Sequence, residues 1–196
     1  MRLHLIRHGQ TDWNAIRRVQ GQADSQLNEL GQQQARELAT ALTNCPVQHV
    51  YCSSSLRTRQ TAELLFAHRR LPISFHDGLR EIFLGPWEGR LYSEIEQLEP
   101  EQFHNFFNAP HNFQLPGAEN YQDLQQRAVI ELQKILALHT DEDIAVVSHG
   151  ALLKSLLTHL ENKPLAQLWD PPLLPNCSHS IVELDKDVAA RIIKYA

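Results

Sequence analysis

The chain has 196 residues, 42% hydrophobic and 21% charged, a composition typical of a globular protein rather than a disordered or fibrous one. Its formal net charge of −5 argues against general nucleic-acid binding, which depends on clustered Lys and Arg. The N-terminal apolar stretch is too short for a signal peptide, and no later stretch reaches transmembrane length. We therefore expect one cytoplasmic domain spanning residues 1–196, with no membrane and no nucleic-acid partner.

Strands and helices are predicted to alternate along the first part of the chain. Residues 3–6 form an apolar run of strand length, and residues 31–42 carry apolar side chains at helical spacing. Residues 47–52 are typical of a second strand, and the serines at 53–55 can cap the helix that follows. The repeated order is strand, loop, helix.

The second part of the chain begins with a proline-rich insertion at about 82–118, for which we predict short helices. Its phenylalanines are expected to form a small core under a lid, and they are Phe103, Phe106, Phe107 and Phe113. Trp87 is compatible either with that core or with a ligand contact. Then follow a clear helix (124–136), a strand buried on both faces (144–147), a helix (151–160) and a late hairpin (180–184 with 190–195).

This alternation predicts a three-layer α/β/α sandwich with a mostly parallel central sheet, helices on both faces and a small lid insertion. Ligands of such sheets bind at the carboxyl ends of the strands. Arg7-His8-Gly9, the turn at 53–57 and His149-Gly150 each directly follow a predicted strand. One pocket is therefore expected to collect residues that lie far apart in the sequence.

The residue types at this edge suit the transfer of a phosphoryl group. The planar guanidinium groups of Arg7 and Arg57 can each hold two phosphate oxygens, and His149 with helix N-terminal N–H groups can complete the cage. His8 is the predicted nucleophile, because neighbouring cations lower the pKa of an imidazole and favour its neutral form. This chemistry requires neither a metal nor a cofactor.

A carboxyl group must protonate the leaving alkoxide and later activate water. Glu81 is the candidate for this role, and Glu88 competes with it on the same loop. The spacing alone does not separate the two.

Taken in order, these motifs resemble the histidine phosphatase superfamily, which includes the cofactor-dependent phosphoglycerate mutases, and in particular its phosphatase-like branch. The resemblance runs nearly end to end, through Leu5 to Thr11, Trp13-Asn14, Gln20-Gly21, Ser53 to Arg57, Leu79-Arg80-Glu81, Trp87-Glu88-Gly89, Pro116 to Glu119, Val147 to Gly150 and Asn176-Cys177-Ser178.

The resemblance implies a phosphomonoester hydrolase of the histidine acid phosphatase type. His8 looks like the phosphorylated histidine and Glu81 like the proton donor. The residues that look like contacts to phosphate or the substrate rim are Arg7, Asn14, Gln20, Gly21, Arg57, His149 and Gly150. Gln10, Ala118 and Asn120 depart from the family's usual residues without touching the proposed chemistry.

Two rival functions stay open, a phosphoglycerate mutase activity and a phosphoryl-binding module without catalysis. The mutase is disfavoured because no Lys or Arg lies between Arg90 and Arg127, whereas a mutase needs cations for its substrate carboxylate. The same absence predicts a small phosphomonoester of a neutral or apolar alcohol as substrate. The sequence does not determine the oligomeric state.

Other hydrolase classes fit the sequence poorly. Ser148-His149-Gly150 lacks the Gly-x-Ser-x-Gly elbow of serine hydrolases, and His4, His8 and His149 lack oriented carboxylates that would make them metal ligands. The single histidines are expected at the surface, namely His68, His76 and His139. The cysteines are expected to be buried, inert thiols: Cys45, Cys52 and Cys177.

Overall fold

The computed structural model describes residues 1–184 and 190–196, and within them a six-stranded sheet is flanked by seven α-helices. The strands are β1 (Arg2–Arg7), β2 (His49–Ser53), β3 (Ile73–His76), β4 (Ile144–Ser148), β5 (His179–Glu183) and β6 (Arg191–Lys194). The helices are α1 (Asp12–Ala15), α2 (Glu29–Ala41), α3 (Leu56–Phe66), α4 (Tyr92–Leu98), α5 (Pro100–Asn108), α6 (Tyr121–Leu136) and α7 (Gly150–Leu160). The predicted three-layer α/β/α architecture is confirmed.

The sheet has the strand order β3-β2-β4-β1-β5-β6. The first four strands of that order run parallel, β5 is antiparallel to β1, and β6 is antiparallel to β5. The predicted late hairpin is confirmed as β5 and β6, although residues 185–189 between them lie outside the described part. The carboxyl ends of β1, β2, β3 and β4 therefore meet at one edge of the sheet.

Successive side chains along the central strands face two different helix layers. Leu5 and Val146 pack into the core cluster that includes α6 and α7, whereas Ile6 and Val147 pack into the cluster that includes α2 and α3. All five residues of β4 are buried, as the continuous apolar run predicts for a strand covered on both faces. Each buried aliphatic side chain stabilises the fold by roughly 1.5–3 kcal/mol relative to an exposed one.

The insertion at 82–118 contains α4 and α5, as predicted, and its aromatic residues form part of the core. Phe106 and Phe113 are buried with ring centroids 5.1 Å apart. Trp87 is fully buried and donates Nε1–H to Glu99 over 2.9 Å. Of the two predicted roles, Trp87 therefore belongs to the core and is not a ligand contact. Among the described residues, no helix is both long and apolar enough to cross a bilayer.

Some local predictions were wrong. The strand β3 was not predicted, because it is an edge strand of only four residues, all half-buried or exposed, and has no continuous apolar run. His139 is not a surface residue, since its side chain is only 4% exposed and its Nε2 lies 2.7 Å from the Tyr51 hydroxyl. His76 is half-buried beside Glu131.

The prediction of buried cysteines holds for Cys52 alone. Cys45 and Cys177 are only half-buried. Burial raises the pKa of the Cys52 thiol to about 12, which keeps this thiol protonated.

The loop that carries His8 is held in place by close packing of two glycines. A Cβ on Gly9 would lie 2.5 Å from the carbonyl oxygen of Gly31, and a Cβ on Gly31 would lie 2.0 Å from that of Gln10. The first turn of α2 therefore touches the backbone that follows β1, and only glycine permits this approach.

Substitution Gly31→Ala is expected to destabilise the protein, although alanine is the better helix former. The gain in helix propensity is about 1 kcal/mol, whereas the clash is with backbone atoms that cannot rotate away, and overpacking costs roughly 1–3 kcal/mol or more. Denaturant unfolding measures the difference, with Gln33→Ala at an exposed position of α2 as the control. A Gly31→Ala protein as stable as the Gln33→Ala protein would contradict this account.

A pair of buried histidines between β1 and β5 makes stability depend on pH. His4 Nδ1 lies 2.8 Å from His179 Nε2, so one ring must donate and the other accept. Burial lowers the pKa of His4, and burial followed by the nearby His4 lowers the pKa of His179 to about 3. Between the unperturbed pKa of 6.5 and these lower values, the unfolded chain binds more protons than the folded one.

The free energy of unfolding should therefore fall as pH falls below about 6.5, by about 1.4 kcal/mol per pH unit for each such histidine. Urea unfolding at about pH 7 and about pH 5 tests this dependence. His179→Gln should lower the slope of the unfolding free energy against pH by about 1.4 kcal/mol per pH unit, which corresponds to one proton. His68→Gln, at an exposed position, should leave this slope unchanged. Equal slopes in the wild type and His179→Gln would refute the role of the pair.

Candidate active site

A cavity of about 240 Å³ opens at the carboxyl edge of the parallel strands. Eight of the nine residues predicted for the site line it: Arg7, His8, Asn14, Gln20, Gly21, Arg57, Glu81 and Gly150. The ninth, His149, does not line the cavity, but its ring centroid lies 5.3 Å from that of His8. The structure thus brings together residues from both halves of the chain.

The backbone ladder explains why the two histidines lie side by side. Arg7 is paired with Ser148, and the N–H of His8 donates to the Ser148 carbonyl over 3.0 Å. The parallel pairing of β1 with β4 therefore continues one residue beyond β1. As a result, His8 and His149 leave neighbouring strands at the same level.

The protonation state of His8 follows from its contacts. His8 is 3% exposed, and Nδ1 lies 2.7 Å from the carbonyl oxygen of Gly9, which can only accept. Nδ1 therefore carries the hydrogen, and Nε2 keeps its lone pair. Burial, then the charges of Arg57 and Arg7, hold the pKa of His8 well below 6.5. A buried neutral imidazole with a free Nε2 can act as a nucleophile.

Arg57 is a buried cation on the first turn of α3. It is 1% exposed, and it donates from Nη2 to the Gly21 carbonyl over 2.7 Å and from Nη1 to the Ala23 carbonyl over 2.9 Å. Burial lowers its pKa to about 10, so the group stays charged at neutral pH. Its Nε is buried without a partner.

Arg7 is the second cation of the cavity. Its Nη1 donates to the Leu174 carbonyl, and its buried Nε has no partner. Within residues 1–184 and 190–196, neither Arg7 nor Arg57 forms an ion pair with a carboxylate. A desolvated cation that forms no ion pair is costly, so these two groups form a site that favours an anion.

His149 is buried behind His8. Its Nε2 lies 2.8 Å from the Ser53 hydroxyl at the end of β2, and its Nδ1 is buried without a partner. Burial, followed by the charge of Arg57, holds the pKa of His149 well below 6.5. With Nε2 held by Ser53, Nδ1 is the ring atom left for a further hydrogen bond.

The structure separates the two candidate carboxylates. Glu81 lines the cavity, and its two oxygens accept N–H groups from Ile82, Ala151 and Leu152, each over 3.0 Å. Two of these N–H groups belong to the first turn of α7, so the Glu81 carboxylate lies at the positive end of that helix. The phosphate contact predicted at Gly150 stays a prediction.

Glu88 has a different environment from Glu81. It does not line the cavity, and its Oε1 accepts the N–H groups of Gln22, over 2.8 Å, and Leu84, over 3.0 Å. A Cβ on Gly21, whose φ is +51°, would lie 2.2 Å from this oxygen. Glu88 therefore braces the loop that forms the rim, and only glycine fits against it.

Asn14 and Gln20 present amide nitrogens rather than oxygens for further bonding. The Oδ1 of Asn14 accepts the N–H and the hydroxyl of Thr11, over 3.2 and 3.1 Å. The Oε1 of Gln20 accepts the Ser25 hydroxyl over 2.6 Å. With both oxygens engaged, the –NH₂ groups remain as donors, which suits an anion.

Several residues of the cavity wall were not predicted as site residues. They are Arg18, Ile82, Leu84, Tyr92, Phe106, Phe107, Ala151 and Trp169. The aromatic cluster of the insertion was a usable signal for Phe106 and Phe107, which pack in the core and also line the cavity. No sequence pattern marked Arg18 or Trp169, because their place depends on loops that fold back over the sheet edge.

The described part of the chain contains no cluster of side chains that could bind a metal ion. No group of three or more His, Cys, Asp or Glu side chains is placed there to hold an ion. The positive charge of the cavity comes from the guanidinium groups of Arg7, Arg18 and Arg57.

Comparison with known proteins gives consistent matches along the whole chain. A solved structure of YhfR from Bacillus stearothermophilus superposes with a TM-score of 0.95 at 39% identity, over 98% of this chain and 95% of that one. Phosphoglycerate mutase-like protein 4 of Arabidopsis thaliana is 36% identical over 78% of this chain and 67% of its own length. Phosphoserine phosphatase 1 of Hydrogenobacter thermophilus is 28% identical over 95% and 88%.

A sequence profile of the histidine phosphatase superfamily (branch 1) matches residues 3–192. The match covers nearly the whole chain and includes every residue of the cavity described above. The chain therefore belongs to the histidine phosphatase superfamily, a group of phosphatases and mutases that act on small phosphorylated substrates, and is a phosphoryl-transfer enzyme.

Proposed function

We propose that this protein is a metal-independent phosphomonoesterase of the histidine acid phosphatase type, which forms a phosphohistidine on His8. The observation that carries the proposal is the two guanidinium groups of Arg7 and Arg57, which form no ion pair within the described residues, beside the buried neutral imidazole of His8. Bidentate guanidinium groups are well suited to the equatorial oxygens of a phosphoryl group in transfer. The relative named phosphoserine phosphatase 1 supports the same reaction class.

In the first step, the lone pair of His8 Nε2 attacks phosphorus and the P–O bond to the alcohol breaks. Glu81, in its protonated form, gives its proton to the departing oxygen. Arg7, Arg57, Asn14 and His149 offer N–H donors to the charge that develops on the phosphoryl oxygens. The products are the free alcohol and phosphohistidine.

In the second step, water attacks the phosphohistidine and the N–P bond breaks. The Glu81 carboxylate takes the proton from this water, and His8 regains its neutral form as inorganic phosphate leaves. Three backbone N–H groups hold Glu81 in place through both steps. The site therefore needs a single carboxyl group that works once as acid and once as base.

A mutase activity is the second candidate, and Arg18 is the observation that favours it. Arg18 lines the cavity, donates from Nη1 to the Gly89 carbonyl over 2.9 Å, and has a buried Nε without a partner. It offers one cation for a second anionic group. Against it stands the insertion, which contributes no Lys or Arg between Arg90 and Arg127. Turnover of phosphoglycerate without phosphate release would favour the mutase.

Substitution His8→Ala should abolish both phosphate release and acid-labile labelling. Radioactive aryl phosphate is mixed with the wild type, quenched in alkali, and the label on the protein is counted. Turnover by the wild type should survive excess EDTA, because the guanidinium groups supply the positive charge. The exposed His68→Ala serves as the control and should label like the wild type. Appreciable label on His8→Ala would refute the nucleophile.

Substitution Glu81→Gln should slow the reaction in proportion to how poor the leaving group is. We expect the rate of phosphoenzyme formation to fall by roughly 10²–10⁴ with an alkyl phosphate. With para-nitrophenyl phosphate, whose leaving group needs little protonation, the rate should fall by less than about tenfold. Burst kinetics separate the two steps. Glu88→Gln is the matched control, since it should lower stability without changing the dependence on leaving group. Equal losses on both substrates would contradict general acid catalysis by Glu81.

A further inference from the structure

A second cavity of about 560 Å³ adjoins the site cavity. The two share four lining residues, Arg7, Phe107, Gly150 and Trp169. The other residues that line the second cavity are Lys154, Leu173, Leu174 and Pro175. We call this second cavity the apolar annex.

We propose that the apolar annex binds the alcohol portion of the substrate, and that the enzyme therefore prefers phosphomonoesters of extended apolar alcohols. This inference rests on the proposed phosphatase function and specifies its substrate class. Arg7 lines both cavities, whereas His8 lines only the first. Because in-line displacement directs the leaving oxygen away from His8, the alcohol can extend past Arg7 into the annex.

The volumes of the two cavities agree with this division. Small-molecule sites usually measure about 300–1,000 Å³, and the site cavity alone, at about 240 Å³, falls below that range. The cavity that carries the arginines therefore suits a phosphate with a small alcohol group. An alcohol of several carbon atoms needs the space of the annex.

The side chains of the annex offer apolar surface and no free charge beyond the shared Arg7. Lys154 is 4% exposed, and its ammonium has three acceptors for its three hydrogens: the carbonyls of Asp170 and Pro172 and the Tyr195 hydroxyl, over 2.8, 3.3 and 3.2 Å. Its charge is thereby satisfied within the protein, and its methylene stem remains for contact.

The outer wall of the annex includes a large exposed leucine. Leu173 is 63% exposed, whereas the neighbouring Leu174 is 5% exposed. On the other side, Trp169 donates Nε1–H to the Phe106 carbonyl over 2.7 Å, which fixes the aromatic wall against the insertion. An apolar alcohol in the annex would cover Leu173 and release the water around it.

A series of straight-chain alkyl phosphates tests the inference, because ethyl, butyl and hexyl phosphate have nearly the same leaving-group reactivity. Each methylene that enters the annex should raise kcat/KM by up to about fourfold. Carboxypropyl phosphate, which matches butyl phosphate in length but carries a terminal carboxylate, should be at least about tenfold poorer than butyl phosphate. Phosphohistidine labelling is measured in parallel with each ester.

Two exposed leucines give a matched pair of variants. Leu173→Asp introduces a charge at the annex and should lower kcat/KM for hexyl phosphate by about tenfold, while ethyl phosphate stays within about twofold. Leu98→Asp makes the same change at a position that is 72% exposed and lines neither cavity, and it should behave like the wild type. Both variants should label equally with a short ester.

The outcomes distinguish this inference from the function on which it rests. Label on the wild type together with kcat/KM independent of chain length, or with preference for carboxypropyl phosphate, would overturn the annex and leave the phosphatase in place. The second of these results would instead point to Arg18 as an anion contact. Absence of label and of released phosphate with every ester would overturn both.

Discussion

The structure depends on keeping two guanidinium groups desolvated without giving them a carboxylate. Glu81 lines the same cavity as Arg7 and Arg57, and Glu88 lies on the same loop as Glu81, yet backbone N–H groups bind both carboxylates. Glu81 is bound by the first turn of α7, and Glu88 by the loops of Gln22 and Leu84. Had either formed an ion pair with an arginine, the protein would have filled its own anion site. Burial, followed by the charges of Arg57 and Arg7, lowers the pKa of His8 and keeps its ring neutral.

This charge arrangement is possible because the sheet edge supplies fixed positions for each group. The β1–β4 ladder places His8 beside His149, and the end of β2 supplies Ser53 to orient the His149 ring. Arg57 reaches the same space from α3 and also binds the carbonyls of the rim loop. The arginine that would hold phosphate is thus the one that shapes the rim, so the loop and the anion site are held by the same side chain.

The sequence predicted five of the six described strands and eight of the sixteen residues that line the site cavity, because these features depend on local signals. Apolar runs of strand length end at Arg7, Ser53 and Ser148, and parallel strands place their carboxyl ends together. The edge strand β3 carried no such signal. The partners of Glu81 could not be predicted either, because the choice between Glu81 and a substrate anion at the end of α7 depends on three-dimensional distances. Arg18 and Trp169 lie on loops whose paths no periodicity reveals.

The residues that line the two cavities differ in how closely they are tied to the central sheet. Most of the groups proposed to bind phosphate lie at strand ends and on α3, where a shift of one residue would disturb the sheet. The wall proposed to face the alcohol comes largely from Phe107 of the insertion and from residues 169–175, which contribute no strand to the sheet. Changes in that wall alter the space for the leaving group without moving His8 or Arg57. A fold of this kind can therefore keep one phosphoryl-transfer chemistry while its substrates differ, as the names of its relatives show.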